Sequence, residues 1–260
     1  MQKLHIIKIG GNVVDNPKVL EKFIEDFSAV TSPKILVHGG GKLATELAEK
    51  LGIPQTMVEG RRITDFETLK ITTMVYAGLI NKQLVAQLQA KGIQALGLSG
   101  ADNNLILSEK RNHSSINFGF VGDIKSINTS FLSSLLSQNI VPVICSITHD
   151  GNGVLLNTNA DTIATELAIA LSNLYKVHLS FCFEKKGVLT DIADEESYIP
   201  QIEKTVYQHL KSEKVISDGM LPKLENAFQA IEKGVSKVLI YHAKYLHTLE
   251  NDFIGTELYG

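Results

Sequence analysis

Short apolar runs separated by longer amphipathic stretches constrain this chain most. Residues 4–9, 34–38, 94–98, 141–144, 177–183 and 237–241 are rich in Ile, Val and Leu, and several end in Gly or Ser. Runs this short and this β-branched predict strands. Their nearly continuous apolarity predicts burial on both faces, as in a parallel sheet. Helical patterns lie between them, over residues 17–30, 42–51, 65–77, 79–91, 128–138, 159–172 and 222–233. Asn16 before Pro17 is a good helix start, and Gly52 and Gly92 are good stops. Strands alternating with helices predict an α/β fold, an open and mainly parallel central sheet sandwiched between helices.

Two segments break the alternation. Residues 118–127 alternate apolar and polar side chains and predict a β-hairpin. Residues 148–156 carry Asp150-Gly151-Asn152-Gly153, a second hairpin signal. The boundary between two lobes is expected near residues 172–176, giving lobes of 1–174 and 175–260.

Composition excludes several classes of function. The chain has 260 residues, 44% of them hydrophobic, enough to bury a sizeable core. A formal net charge of −3 without a long basic run argues against a nucleic-acid groove. The apolar runs are far too short to span a bilayer. Cys145 and Cys182 each sit in an apolar run and read as reduced core residues. The N-terminal residues lack a signal-peptide pattern, so the expected location is the cytoplasm.

Chemistry concentrates in five segments. Lys8-Ile9-Gly10-Gly11-Asn12 ends the first strand, where two glycines let backbone N–H groups approach a phosphate. The bland alternative is a turn with a surface lysine. His38-Gly39-Gly40-Gly41-Lys42 joins a buried strand to a helix, whose N-terminal dipole favours an anion. It lacks the spacing of both the Walker A loop and the dinucleotide fingerprint. Gly60-Arg61-Arg62-Ile63-Thr64-Asp65 offers a guanidinium to a carboxylate, or else only a solvated basic pair before a helix. Asn157-Thr158-Asn159-Ala160-Asp161 starts a helix, where Asn159 and Asp161 also suit simple capping. Ser217-Asp218-Gly219-Met220-Leu221-Pro222-Lys223 places a lysine in a first helical turn, an end that favours negative charge.

The order of these segments is more specific than any one of them. Lys-x-Gly-Gly, His-Gly-Gly-Gly, Gly-x-Arg-x-Thr, Asn-x-Asn-Ala-Asp and Asp-Gly-Met-x-x-Lys together resemble the acetylglutamate kinases, a branch of the amino acid kinase family. The resemblance covers essentially the whole chain, and Phe120-Val121-Gly122-Asp123 is similar to the family's hairpin segment. It implies phosphorylation of the γ-carboxylate of an N-acylated glutamate by ATP, in arginine biosynthesis. The N-terminal lobe would hold the acylglutamate and carry dimer contacts, and the C-terminal lobe would hold ATP. Lys8 and Lys223 would flank the transferring phosphoryl group, with Asp161 orienting both. Gly10, Gly11, Gly40 and Gly41 would donate backbone N–H groups to phosphoryl group and substrate. Arg62 would clamp the α-carboxylate, and Asn157 the acylamino group.

The resemblance puts ATP contacts at Glu184, Lys185, Lys186, Gly187, Val188 and Leu189, and at Val215, Ile216 and Ser217. Mg2+ would be held mainly by the ATP phosphates. The nucleotide segment departs from the family's Asp-Val-x-Gly-Val, reading Glu184-Lys185-Lys186-Gly187-Val188. The stretch Ser99 to Asn104 is rich in Asn and Asp, which makes an acyl group other than acetyl, such as succinyl, an alternative. The chain starts at its first strand, without the helical extension of hexameric, arginine-inhibited members, so a homodimer is expected. Another family member acting on a different carboxylate is one competing reading. An esterase is another: His38-Gly39-Gly40-Gly41 resembles a lipase oxyanion loop, Gly97-Leu98-Ser99-Gly100-Ala101 nearly matches a nucleophile elbow, and His242 or His247 would complete a triad. That reading leaves Lys8 and Lys223 without roles.

Overall fold

A computed structural model describes residues 1–58, 61–191, 193–213, 216 and 220–260. The chain packs as two compact units, Met1–Lys34 with Ala164–Gly260, and Ile35–Ile163. The bounds of these units are not those of the lobes expected from the sequence pattern, 1–174 and 175–260. No helix among the described residues is long and apolar enough to cross a membrane.

In the first unit, strand Lys3–Ile9 pairs in parallel with Lys176–Phe183, from Lys3 against Lys176 to Ile9 against Cys182. Lys237–His242 adds a third parallel strand, Thr256–Tyr259 pairs antiparallel with it, and Gln201–Glu203 closes the edge. Leu4, Ile6, Ile7, Ile9, Val177, Leu179, Val238 and Ile240 are all buried, as the continuous apolar runs require. Helix Pro17–Ala29 buries Leu20, Phe23, Ile24 and Phe27, and the Asn16 side chain caps it by accepting from the Lys18 and Val19 amides.

In the second unit, strands Lys34–His38, Val141–Cys145 and Ala95–Leu98 run parallel in that spatial order; only Lys34 belongs to the first unit. A second sheet holds Leu155–Asn157, Ile147–His149, Ile106–Lys110 and Gly122–Ile127. The hairpin expected around Asp150-Gly151-Asn152-Gly153 is present, joining Ile147–His149 to Leu155–Asn157. Asp150 Oδ1 accepts from the Asn152 and Val154 amides, at 2.7 and 3.0 Å.

The other expected hairpin is corrected. Gly122–Ile127 pairs antiparallel with Ile106–Lys110, and residues 118–121 make only isolated bridges, Gly119 to Thr64 and Val121 to Asn157. Alternation over residues 118–127 reported one half-buried strand, with no tight turn to fold it back on itself. A second correction concerns the helices expected over 65–77 and 79–91. Phe66–Thr73, Met74–Ile80 and Asn81–Ala90 form one continuous helical run, its middle third a π-helix. Gly78 costs only about 1 kcal/mol there, and burial of Tyr76 and Ile80 on either side outweighs it.

A carboxylate pins one loop of the first unit. Glu250 accepts from the amides and hydroxyls of Thr31 and Ser32, at 2.9, 3.0, 3.1 and 2.5 Å. Burial pushes its carboxyl up, but these donors outweigh burial and hold it at about 2. A depressed carboxyl stabilises the fold above its ordinary value and loses that contribution as pH falls toward its folded value. Glu250→Gln is expected to cost about 1 kcal/mol at neutral pH, reduced by solvent screening at this half-buried position. Urea midpoints measured from pH 7 downward should show that difference shrinking from about pH 4.5 toward pH 2.

Candidate functional site

The first unit gathers two of the singled-out lysines at the carboxyl ends of paired strands, where open α/β sheets hold ligands. Lys8 stands opposite Phe181 in the register. Its ammonium is close enough to Cys182 to oppose the upward shift that burial gives that thiol. Lys8 Nζ also lies 3.9 Å from where a Cβ on Gly10 would stand. Gly10 caps the short helix Gly11–Val14, which sequence patterning did not signal. Lys223, in the first turn of helix Leu221–Glu232, sets its Nζ 4.8 Å above the Phe183 ring.

Of the expected nucleotide segment, Glu184 to Leu189 directly follows strand Lys176–Phe183. Lys186 is buried and committed to Glu196 at 2.5 Å, with the Tyr198 ring 4.5 Å away. Val188 donates its amide to Thr256 Oγ1 at 2.8 Å, and a Cβ on Gly187 would strike that hydroxyl. Ile216 is buried. Val215 and Ser217 lie outside the described residues, as do Asp218, Gly219 and Gly60 of the motifs.

The second unit assembles Gly40, Gly41, Arg62 and Asn157 into one bonded constellation. Arg62 is 8% exposed. Its Nη2 donates to the Gly41 carbonyl at 2.9 Å and to Thr45 Oγ1 at 2.8 Å, and its Nη1 donates to Gln55 Oε1. These acceptors are neutral, so a buried cation is held without a carboxylate from the described residues. A charge in that condition favours an anionic ligand. The Thr64 hydroxyl donates to the Arg62 carbonyl and accepts from Asn157 Nδ2 at 3.0 Å. Segment 118–121 bridges Thr64 on one side and Asn157 on the other, and Gly119 (φ 71°) is obligatory there because a Cβ would sit 2.1 Å from the Thr64 carbonyl oxygen.

The glycine loop at 39–41 leads into helix Gly41–Lys50. A Cβ on Gly40 would lie 2.2 Å from Ile80 Cδ1 and 2.9 Å from the Tyr76 ring. One on Gly39 would lie 3.7 Å from Ala160 Cβ, so this loop adjoins the start of helix Ala160–Leu171. Asp161 is in that helix's first turn, and its amide donates to Asn159 Oδ1 at 2.8 Å. Tyr76 reaches Arg62, and burial, only partly countered by that cation, pushes its phenol up. His38 is fully buried, and burial lowers it to about 4.

Thr45, Gln55, Tyr76 and Asn81 escaped the sequence reading. Each lies inside a helix or loop away from any motif. Only the buried position of Asn81 on an otherwise apolar helical face carried a signal. The esterase alternative is not favoured. Ser99 donates both its amide and its hydroxyl to Asp102, at 2.6 and 2.8 Å, and leads into the short turn Asp102–Asn104 rather than a long helix.

Glycine loops at strand ends, lysines at strand and helix ends and a buried guanidinium, all on an α/β fold, are features suited to anionic ligands. A sequence model of the amino acid kinase family matches residues 3–242, and the chain belongs to that family. The acetylglutamate kinase of Cytophaga hutchinsonii is 56% identical over 261 residues, spanning 99% of each chain. That of Parabacteroides distasonis is 53% identical over 247 residues, 95% of this chain and 97% of its own. Among solved structures, the N-acetylglutamate synthase of Neisseria gonorrhoeae, complexed with coenzyme A and N-acetyl-glutamate, matches with a TM-score of 0.83. It covers 100% of this chain and 59% of its own at 19% identity, a likeness of fold alone.

The packing at Gly40 is directly testable. Gly40→Ala is expected to lower stability by about 1–3 kcal/mol in chemical denaturation, through overpacking against Ile80. Ile80→Val in the same chain should recover part of that loss, because the two sites are in contact.

Proposed function

We propose that this protein transfers the γ-phosphoryl group of ATP to the γ-carboxylate of N-acetyl-L-glutamate, as a step of arginine biosynthesis. Identity of 56% across 99% of the chain to an acetylglutamate kinase carries the reading. The γ-carboxylate oxygen attacks the γ-phosphorus, the bond to the β-phosphate oxygen breaks, and ADP leaves with that electron pair. The product is an acyl phosphate. The attacking carboxylate is already ionised at neutral pH, so alignment and charge stabilisation suffice, without a general base.

The roles of individual residues belong to the proposal. Arg62 takes the α-carboxylate, a choice supported by its burial among neutral acceptors. Asn157, whose Nδ2 is engaged by Thr64, turns its carbonyl oxygen to the acylamino N–H. Gly40 and Gly41 line the same constellation. Lys8 and Lys223 stabilise the phosphoryl oxygens with the amides of Gly10 and Gly11, and Asp161 orients the two ammonium groups. Residues 184–189 and 215–217 receive ATP. We assign the acylglutamate to the 1–174 lobe and ATP to the 175–260 lobe. Among the described residues, no group of three or more His, Cys, Asp or Glu side chains is arranged to hold a metal. The Mg2+ ion would be carried mainly by the ATP phosphates and water. A cytoplasmic homodimer, with its contacts in the 1–174 lobe, completes the proposal.

The decisive experiment is an ADP-release assay across N-acetyl-L-glutamate, N-succinyl-L-glutamate and free L-glutamate. An N-acylated substrate should be used at least about 100-fold more efficiently than free glutamate, whose α-ammonium group lacks a partner. Turnover of none of them overturns the function. Lys8→Ala should lower kcat by about 10²–10³-fold with little change in the KM for ATP. Arg62→Ala should chiefly raise the KM for the acylglutamate. Near-normal kcat in Lys8→Ala would remove Lys8 from the mechanism.

A further inference from the structure

The glycine loop is held by a buried pair that no motif explains. His38 is 0% exposed and Asn81 is 1% exposed. His38 Nδ1 lies 2.9 Å from the Gly39 carbonyl oxygen, and Asn81 Nδ2 lies 3.1 Å from His38 Nε2. Asn81 Nδ2 is also 2.9 Å from the Val143 carbonyl oxygen, and Lys82 Nζ reaches Asn81 Oδ1 at 3.1 Å.

These contacts allow one proton arrangement. A carbonyl only accepts, so the nitrogen facing Val143 must be the amide NH2 of Asn81. Its second proton then points at His38 Nε2, which must accept. The Gly39 carbonyl likewise only accepts, so His38 Nδ1 donates. The ring is therefore neutral, with its proton on Nδ1. Burial, with Lys82 nearby, lowers His38 to about 4 and keeps it in that form. Cys145, its register partner on the neighbouring strand, is held as a neutral thiol by burial.

The consequence lies in the next peptide bond. The Gly39 carbonyl and the Gly40 N–H belong to one planar trans unit and point in opposite directions. Drawing the carbonyl toward His38 drives the Gly40 N–H the other way. Glycine at both positions leaves this peptide otherwise free to rotate, so an outside hold is needed. We propose that His38 and Asn81 are positioning residues that lock the Gly39–Gly40 peptide, aiming the Gly40 N–H at the anionic group received by the loop. This rests on the reading of the loop as a substrate-binding element, and it adds which residues preorganise its donor.

Two substitutions separate this role from space filling. The Asn side chain places its amide where His places Nδ1, and Gln places it where His places Nε2. His38→Asn should keep kcat/KM for the acylglutamate within about tenfold of wild type, whereas His38→Gln should lose about 10²-fold or more. Equal losses in the two variants overturn the proposal. Nitrogen-15 NMR of the histidine ring in the unmodified protein gives a readout independent of turnover. Protonated Nδ1 and bare Nε2 at pH 7 are expected, and an Nε2–H ring overturns the proposal even if neither variant folds. In Asn81→Ala the Nε2–H form should appear, and an unchanged ring removes Asn81 from the device. Failure of every acceptor with the unmodified protein would strike the proposed function, whereas a wrong tautomer would strike this inference alone.

Discussion

The first unit depends on the parallel ladder between Lys3–Ile9 and Lys176–Phe183. Its strands come from opposite parts of the chain, so loop closure must be offset before the pairing contributes anything. The offset is apolar: Leu4, Ile6, Ile7, Ile9, Val177 and Leu179 are fully buried. Each such side chain contributes roughly 1.5–3 kcal/mol when removed from water. Register then has a chemical consequence. Because Ile9 meets Cys182, Lys8 arrives beside the strand end over which Lys223 sets its ammonium. A slip of one residue would turn Lys8 to the opposite face and bury it in apolar surroundings.

The second unit shows the complementary strategy, a polar site bonded before any ligand arrives. A buried guanidinium with only neutral acceptors is costly in isolation. Here the Gly41 carbonyl, Thr45 and Gln55 fix its plane, and Tyr76 closes one side. The π-helical segment contributes by geometry. Its wider turn brings both Tyr76 and Ile80 against Gly40, a contact no side chain at position 40 would permit. In the proposed complex the cost of holding a cation there would be offset when a carboxylate binds, turning local destabilisation into affinity for an anion.

Much of this fold was legible because its strands are buried on both faces and therefore apolar without interruption. Strand 34–38 and the turn at Asp150-Gly151-Asn152-Gly153 follow from local chemistry alone. The misread parts depended on distant partners. Residues 118–127 gave a period of two but not the strand at Ile106–Lys110 that they pair with. Gly78 suggested a break because local propensity cannot report the tertiary contacts of Tyr76 and Ile80. In the site, glycines and charged residues in ordered motifs were visible, and their supports were not. Thr45 and Asn81 matter through hydrogen bonds with Arg62 and His38, far from them in the chain, and Gln55 through one with Arg62 across a loop, and local sequence does not report such pairings.

The protonation states around the glycine loop bear on the chemistry it can serve. His38 is held near 4 by burial, and Tyr76 is pushed up by burial, so both stay neutral across the physiological range. Neither is poised to exchange a proton near pH 7, as a base activating a hydroxyl acceptor would have to be. A glutamate side chain, with an ordinary value of about 4.3, arrives ionised and needs no such base. What it needs is relief from repulsion by the phosphates and a fixed line of approach. In the proposed complex, backbone N–H groups and the preoriented Arg62 guanidinium would supply part of both. Neither buried His38 nor buried Tyr76 is suited to take the proton of a hydroxyl acceptor near pH 7, which agrees with the carboxylate acceptor proposed for this loop.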